Sequence, residues 1–159
     1  MDTVQAEEIK WLWKPYIPFG KLTIVQGDPS EGKTTFSLWL ASLLTQGKCF
    51  DEAGNLIQTS PVNVVYQTVE DGLADTVKPR LMAAGADCSR VKVIDDSEKS
   101  LYMDDERLEE ALRETKAKLL ILDPLQAYLG DRVDMNRANE AREMTKKLGT
   151  MAERTGCAV

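Results

Sequence analysis

Apolar residues along this chain fall into short, dense runs separated by amphipathic stretches. Four runs read as buried strands: Leu22–Gln26, Val62–Thr68, Val91–Ile94 and Leu119–Leu122. Each is rich in Leu, Ile and Val, as strands covered on both faces are. Between them the apolar spacing changes to three and four. Phe36, Trp39, Leu40, Leu43 and Leu44 share one face of a helix predicted over Thr34–Gln46. Further helical patterns run from Leu73 to Ala84, interrupted by Pro79, and over Asp104–Thr115. A last one, from about Arg137 to Thr155, puts Ala141, Met144, Leu148, Met151 and Ala152 on one face. Gly47, Gly85 and Gly156 stand where helix C-caps belong. Lys48–Pro61 is polar, carries Ala53-Gly54-Asn55, and reads as a loop or small hairpin. The alternation predicts an α/β fold with a parallel sheet and helices on both faces.

The junction between the first strand and first helix changes the picture most. Gly27-Asp28-Pro29-Ser30-Glu31-Gly32-Lys33-Thr34 is a complete G-x-x-x-x-G-K-[ST] phosphate-binding loop. Its glycines let successive backbone N–H groups turn toward phosphate oxygens, and the following helix adds its positive end. Lys33 supplies a cation for the β- and γ-phosphates, and the Thr34 hydroxyl a hard oxygen for Mg²⁺. Strand, glycine loop and helix occur in the order that this ligand requires.

Composition narrows the class. The 159 residues, 43% hydrophobic and 29% charged, suit one domain with a sizeable core. No run reaches the roughly 18 apolar residues of a membrane span, and the acidic Met1–Lys10 segment lacks the apolar stretch of a secretory signal. Cys49, Cys88 and Cys157 are odd in number and the chain has no histidine, which argues against a structural zinc site and fits reduced thiols in a cytoplasm. A net charge of −6 gives no general basic surface for nucleic acid, so any DNA contact rests on a local patch or on residues outside this sequence.

A phosphate loop alone does not separate kinases, switches and motors; the acidic residues do more. Leu119-Leu120-Ile121-Leu122-Asp123 is an apolar strand ending in a carboxylate, the arrangement that supports Mg²⁺. Pro124 follows, so a water-orienting glutamate directly after Asp123 is excluded. Val64-Val65-Tyr66-Gln67-Thr68-Val69-Glu70-Asp71 is a strand running out into two carboxylates, the other place where such a glutamate can sit. Asp71 reads as a helix cap.

Trp11-Leu12-Trp13, Ile17-Pro18-Phe19-Gly20-Lys21-Leu22-Thr23, Thr68-Val69-Glu70-Asp71 and Asp123-Pro124-Leu125-Gln126, taken with the loop, resemble the AAA-25, RepA-type branch of the RecA-like ATPases. The resemblance covers the chain from Trp11 onward; Ser30 departs from it where the branch more often has glycine. It implies a RecA-like core over residues 21–159 behind an N-terminal segment over 1–20. Gly27, Asp28, Pro29, Ser30, Glu31, Gly32, Lys33, Thr34 and Thr35 would hold ATP, Thr34 and Asp123 would serve Mg²⁺, and Glu70 and Lys33 would be catalytic. It further implies a DNA helicase or mobile-element replication ATPase, hexameric when full length, meeting single-stranded DNA through regions absent here.

A nucleotide-dependent switch with a protein partner is the alternative. A small-molecule kinase is disfavoured by the Glu70–Asp123 layout and by the lack of an arginine-rich lid. Gly156-Cys157-Ala158-Val159 reads as a cap followed by the start of another buried strand. The expectation is a truncated chain; the resemblance implies that it stops before a sensor strand, lying between the loop strand and the Asp123 strand, is complete. Trp11 and Trp13 can flank an adenine or cover a sheet end; Gln126 can sense the γ-phosphate or begin a turn. Asp131, Asp134 and Asn136 are expected helix caps, and Arg80, Arg132 and Arg137 are candidates for reaching a neighbouring subunit.

Overall fold

A computed structural model describes residues 4–129 and 138–159. Its centre is a parallel sheet of β5 (Val64–Thr68), β6 (Val91–Lys92) and β7 (Leu119–Asp123), ordered β6-β5-β7. The other elements are β1 (Trp11–Trp13), β2 (Ile17–Pro18), α1 (Lys33–Thr45), β3 (Lys48–Phe50), β4 (Leu56–Gln58), α2 (Lys78–Ala83), α3 (Glu106–Thr115) and α4 (Ala138–Thr155). β1 pairs with β2, and β3 with β4, as antiparallel hairpins.

Strand parity divides the core. Val64 and Tyr66 of β5, with Leu119 of β7, bury against Leu38, Ala41 and Leu44 of α1 and against Val77 and Leu81. Val65 and Leu120 point to the opposite face and pack with Leu108 and Leu112 of α3 and Leu148, Met151 and Ala152 of α4. Successive side chains of a strand take opposite sides, so two adjacent valines serve two cores. This places α1, and the loop that leads into it, over the Tyr66 face.

Most expected elements form close to their predicted bounds, and the exceptions have local causes. Pro79 does not break a helix. A π-turn over Leu73–Val77 precedes it, and Pro79 sits in the first turn of α2, where its missing N–H is not needed. Lys48–Pro61 forms the β3–β4 hairpin, its turn closed by Asp51 Oδ1, which accepts from the N–H groups of Ala53 (2.9 Å) and Asn55 (2.8 Å). Gly47 is required at the end of α1: its φ is +71°, and a Cβ there would stand 2.6 Å from Thr59 O.

The expected strand over Leu22–Gln26 does not form a ladder. Thr23 N donates to Val159 O at 2.7 Å and Val159 N to Lys21 O at 3.1 Å. Ala158 in turn bridges to Leu119 in parallel fashion. Beyond Thr23 no described residue pairs with the segment, and Ile24 and Val25 are 60% and 51% exposed. A strand exists only where a neighbour completes its hydrogen bonds, and among the described residues Lys21 and Thr23 have such a neighbour in Val159. No described helix is long and apolar enough to cross a membrane.

Candidate nucleotide site

The loop after Thr23 is shaped by two residues with positive φ. Gly32, at +85°, is the N-cap of α1, and Ser30 stands at +68°, a conformation that costs a side-chain-bearing residue on the order of 1 kcal/mol. This explains why glycine suits that position better. The N-cap of α1 makes no side-chain capping bond, and no acidic residue occupies the helix's first turn. The first amides of a 13-residue helix are thereby left for an external anion.

Two side chains fold back over the loop. Lys33 Nζ donates to Gly27 O at 2.9 Å and to Asp28 O at 2.8 Å. Glu31 Oε2 accepts from Asp28 N at 2.7 Å. A loop amide thus already binds an anionic oxygen, which is the test a phosphate has to pass here.

Across the sheet, the register pairs Thr68 of β5 with Asp123 of β7 and Tyr66 with Ile121. Tyr66 is fully buried, and its hydroxyl donates to Asp123 Oδ2 at 3.2 Å. Burial, followed by the Asp123 charge, pushes the Tyr66 phenol far above its ordinary pKa, so it remains a donor at every working pH. Close by, the buried Tyr128 hydroxyl has no hydrogen-bond partner among the described residues. Burial, with Asp96 and Asp123 in its surroundings, raises its pKa as well.

The end of β5 is turned by Thr68, whose Oγ1 accepts from the N–H groups of Glu70 and Asp71, each at 3.3 Å. Glu70 is left exposed two residues past the register partner of Asp123. Asp71 does not cap a helix: Gly72 takes the position before Leu73, and Asp71 instead meets Arg80 at 3.6 Å. That ion pair occupies the arginine within its own chain.

A cavity of about 760 Å³ opens between the Leu22–Gly27 segment and the end of β7, and Gly27, Lys33, Asp123 and Gln126 line it together. Thr34, Thr35 and Glu70 do not belong to its lining. Trp13 packs against Tyr16, Phe36, Trp39 and Phe50, with ring centroids 5.2–6.2 Å apart, on the core that α1 shares. Asp131, Asp134, Asn136, Arg132 and Arg137 lie outside the described residues. Among the described residues no cluster of three acidic or cysteine ligands is found. Thr34 and Asp123 each carry a hard oxygen of the kind Mg²⁺ takes, an ion that keeps several waters and few protein ligands; of the two, Asp123 lines the cavity. Sequence reasoning missed Tyr66; an aromatic hydroxyl in the buried half of the Val64–Thr68 strand was the available signal, and only the register puts it two residues short of Asp123.

No curated protein matches this chain. A KaiC-like protein from the hyperthermophilic archaeon Pyrococcus horikoshii OT3 has a similar structure, with a TM-score of 0.64 at 18% identity over 94% of this chain and 70% of its own. At that identity the likeness speaks for the fold. The AAA domain family AAA_25 matches residues 2–159, nearly the full length. With the parallel sheet and the glycine loop in place, the chain belongs to this family of RecA-like P-loop ATPases and is a nucleotide-binding ATPase domain.

Proposed function

We propose that this domain hydrolyses Mg²⁺-bound ATP as the motor of a ring-forming protein acting on DNA. The observation that carries the reading is the meeting of Lys33 and Asp123 on one cavity, with Glu70 just past the strand position that pairs with Asp123. The backbone N–H groups of Gly27–Thr35, Pro29 excepted, would cradle the phosphates, and Lys33 would leave its two loop carbonyls for the β- and γ-oxygens. Thr34 and Asp123 would hold Mg²⁺, which supplies charge neutralisation on the phosphate oxygens. Glu70 would accept a proton from the attacking water as the bond from the γ-phosphorus to its bridging oxygen breaks. The Glu31 carboxylate has to swing off Asp28 N before a phosphate can take that amide.

The second reading, a nucleotide-dependent switch for a protein partner, draws on exposed apolar residues of the hairpin and α1. Leu56, Ile57 and Trp39 are 54%, 40% and 37% exposed. Phosphate release from Mg²⁺-ATP, measured on the full-length protein with and without single-stranded DNA, separates the two. Stimulation by DNA is expected. Turnover indifferent to DNA favours the switch, and failure to bind any nucleoside triphosphate overturns both.

A further inference from the structure

We propose that Tyr66 is a positioning residue for Asp123: its buried hydroxyl fixes one carboxylate oxygen and leaves the other for the cation side of the nucleotide. The inference rests on the reading of Asp123 as a Mg²⁺-side carboxylate. Tyr66 is opposite Ile121 in the β5–β7 ladder, two residues before Asp123. Two residues of parallel strand advance about 6.6 Å, a distance the tyrosine ring bridges by leaning along the strand to place its hydroxyl 3.2 Å from Oδ2. The ring itself is locked, being 0% exposed among Val64, Leu119 and the α1 residues Leu38 and Ala41.

Chemistry supports a directed role over packing alone. A phenylalanine would fill the same apolar face without burying a hydroxyl, which costs free energy unless it is paired. The hydroxyl is paired, and its acceptor is the carboxylate at the cavity wall. An aspartate at a strand end can rotate about its terminal torsion; a donor on a rigid ring removes that freedom and sets which oxygen faces outward. Outer partners of this kind tune cation affinity without touching the ion.

The test is Tyr66→Phe in the full chain, read by equilibrium binding of a fluorescent ATP analogue as Mg²⁺ is titrated, with EDTA as the cation-free arm. The expected result is a Mg²⁺ half-saturation raised on the order of tenfold, the low end for an outer partner, with binding in EDTA unchanged. In an Asp123→Asn background, Tyr66→Phe adds no further shift. Leu108→Val, which loosens the core on the opposite sheet face, keeps the wild-type half-saturation. An unshifted Tyr66→Phe beside a shifted Asp123→Asn overturns the positioning role while sparing the reading of Asp123. Equal losses with and without cation, or a matching shift in Leu108→Val, reduce Tyr66 to packing. An Asp123→Asn variant with wild-type Mg²⁺ dependence overturns the Asp123 reading and the inference built on it.

Discussion

The side-chain amide of Gln67 binds both backbone groups of Ile94, with Nε2 donating to Ile94 O at 3.2 Å and Oε1 accepting from Ile94 N at 2.6 Å. Gln67 is 1% exposed, so this amide takes the place of a backbone ladder where β6 stops at Lys92. The expected strand over Val91–Ile94 is thus continued by a side chain. Gln67→Leu leaves two inward backbone groups unpaired and should destabilise the fold by about 1–3 kcal/mol per group. A urea denaturation midpoint equal to wild type would show that water replaces the amide without loss.

Lys33→Ala should weaken triphosphate binding by at least about tenfold, since a charge-assisted hydrogen bond contributes roughly 1.5–3 kcal/mol. Lys33 already reaches two loop carbonyls, and no other described lysine or arginine is bonded to the loop. Titration with a fluorescent ATP analogue decides it; equal affinity would remove the loop from nucleotide binding.

Glu31→Gln should tighten triphosphate binding. The carboxylate holds Asp28 N at 2.7 Å and sets a negative charge beside the loop. Two like charges about 4 Å apart in water repel by about 1 kcal/mol, so a gain of roughly fivefold is expected. The same binding titration, repeated at high salt, should show the gain shrinking. Weaker binding by the variant would mean that the carboxylate orders the loop productively.

Glu70→Gln should keep nucleotide binding and lose turnover by on the order of 10²-fold, the usual scale for a general base. Glu70 is exposed, and Thr68 Oγ1 holds its backbone rather than its carboxylate. The substitution therefore leaves the fold intact. Phosphate release compared with analogue binding separates the outcomes: loss of both marks a structural residue, and unchanged turnover moves the base elsewhere.

Asp105 gives the fold a defined acid sensitivity. It caps α3 through Arg107 N at 3.0 Å, and its carboxylate, 8% exposed, also meets the Arg107 guanidinium at 2.8 Å. Arg107 holds the Asp105 carboxyl below the ordinary carboxylate range. With the folded value depressed, the carboxylate's contribution is complete above the unfolded value near 3.9 and is lost as pH falls through the lower folded value. Asp105→Asn keeps a cap but not the charge. Its stability deficit against wild type, measured by urea midpoints, should be constant at neutral pH and narrow below about pH 4. A deficit that stays constant into strong acid would contradict the pairing.

Local order decided much of this protein before any packing. The Gly27–Thr34 loop, the apolar run ending in Asp123 and the change of spacing after Thr34 depend on residues within a few positions of one another. They therefore announced the parallel sheet and α1 directly, and marked the candidate nucleotide site. The Pro79 break and the Asp71 cap were misread because a first-turn proline and a strand-end aspartate each have two local solutions. A π-turn and Arg80, brought close by folding, selected between them. The pairing of Thr23 with Val159, the Gln67 amide substituting for strand backbone, and the Tyr66 hydroxyl on Asp123 were settled only by tertiary structure. Each depends on which residue lies across a strand gap from another 27 to 136 positions away. Apolar periodicity records which face of an element is buried, but it carries no information about the partner that will complete that element's hydrogen bonds.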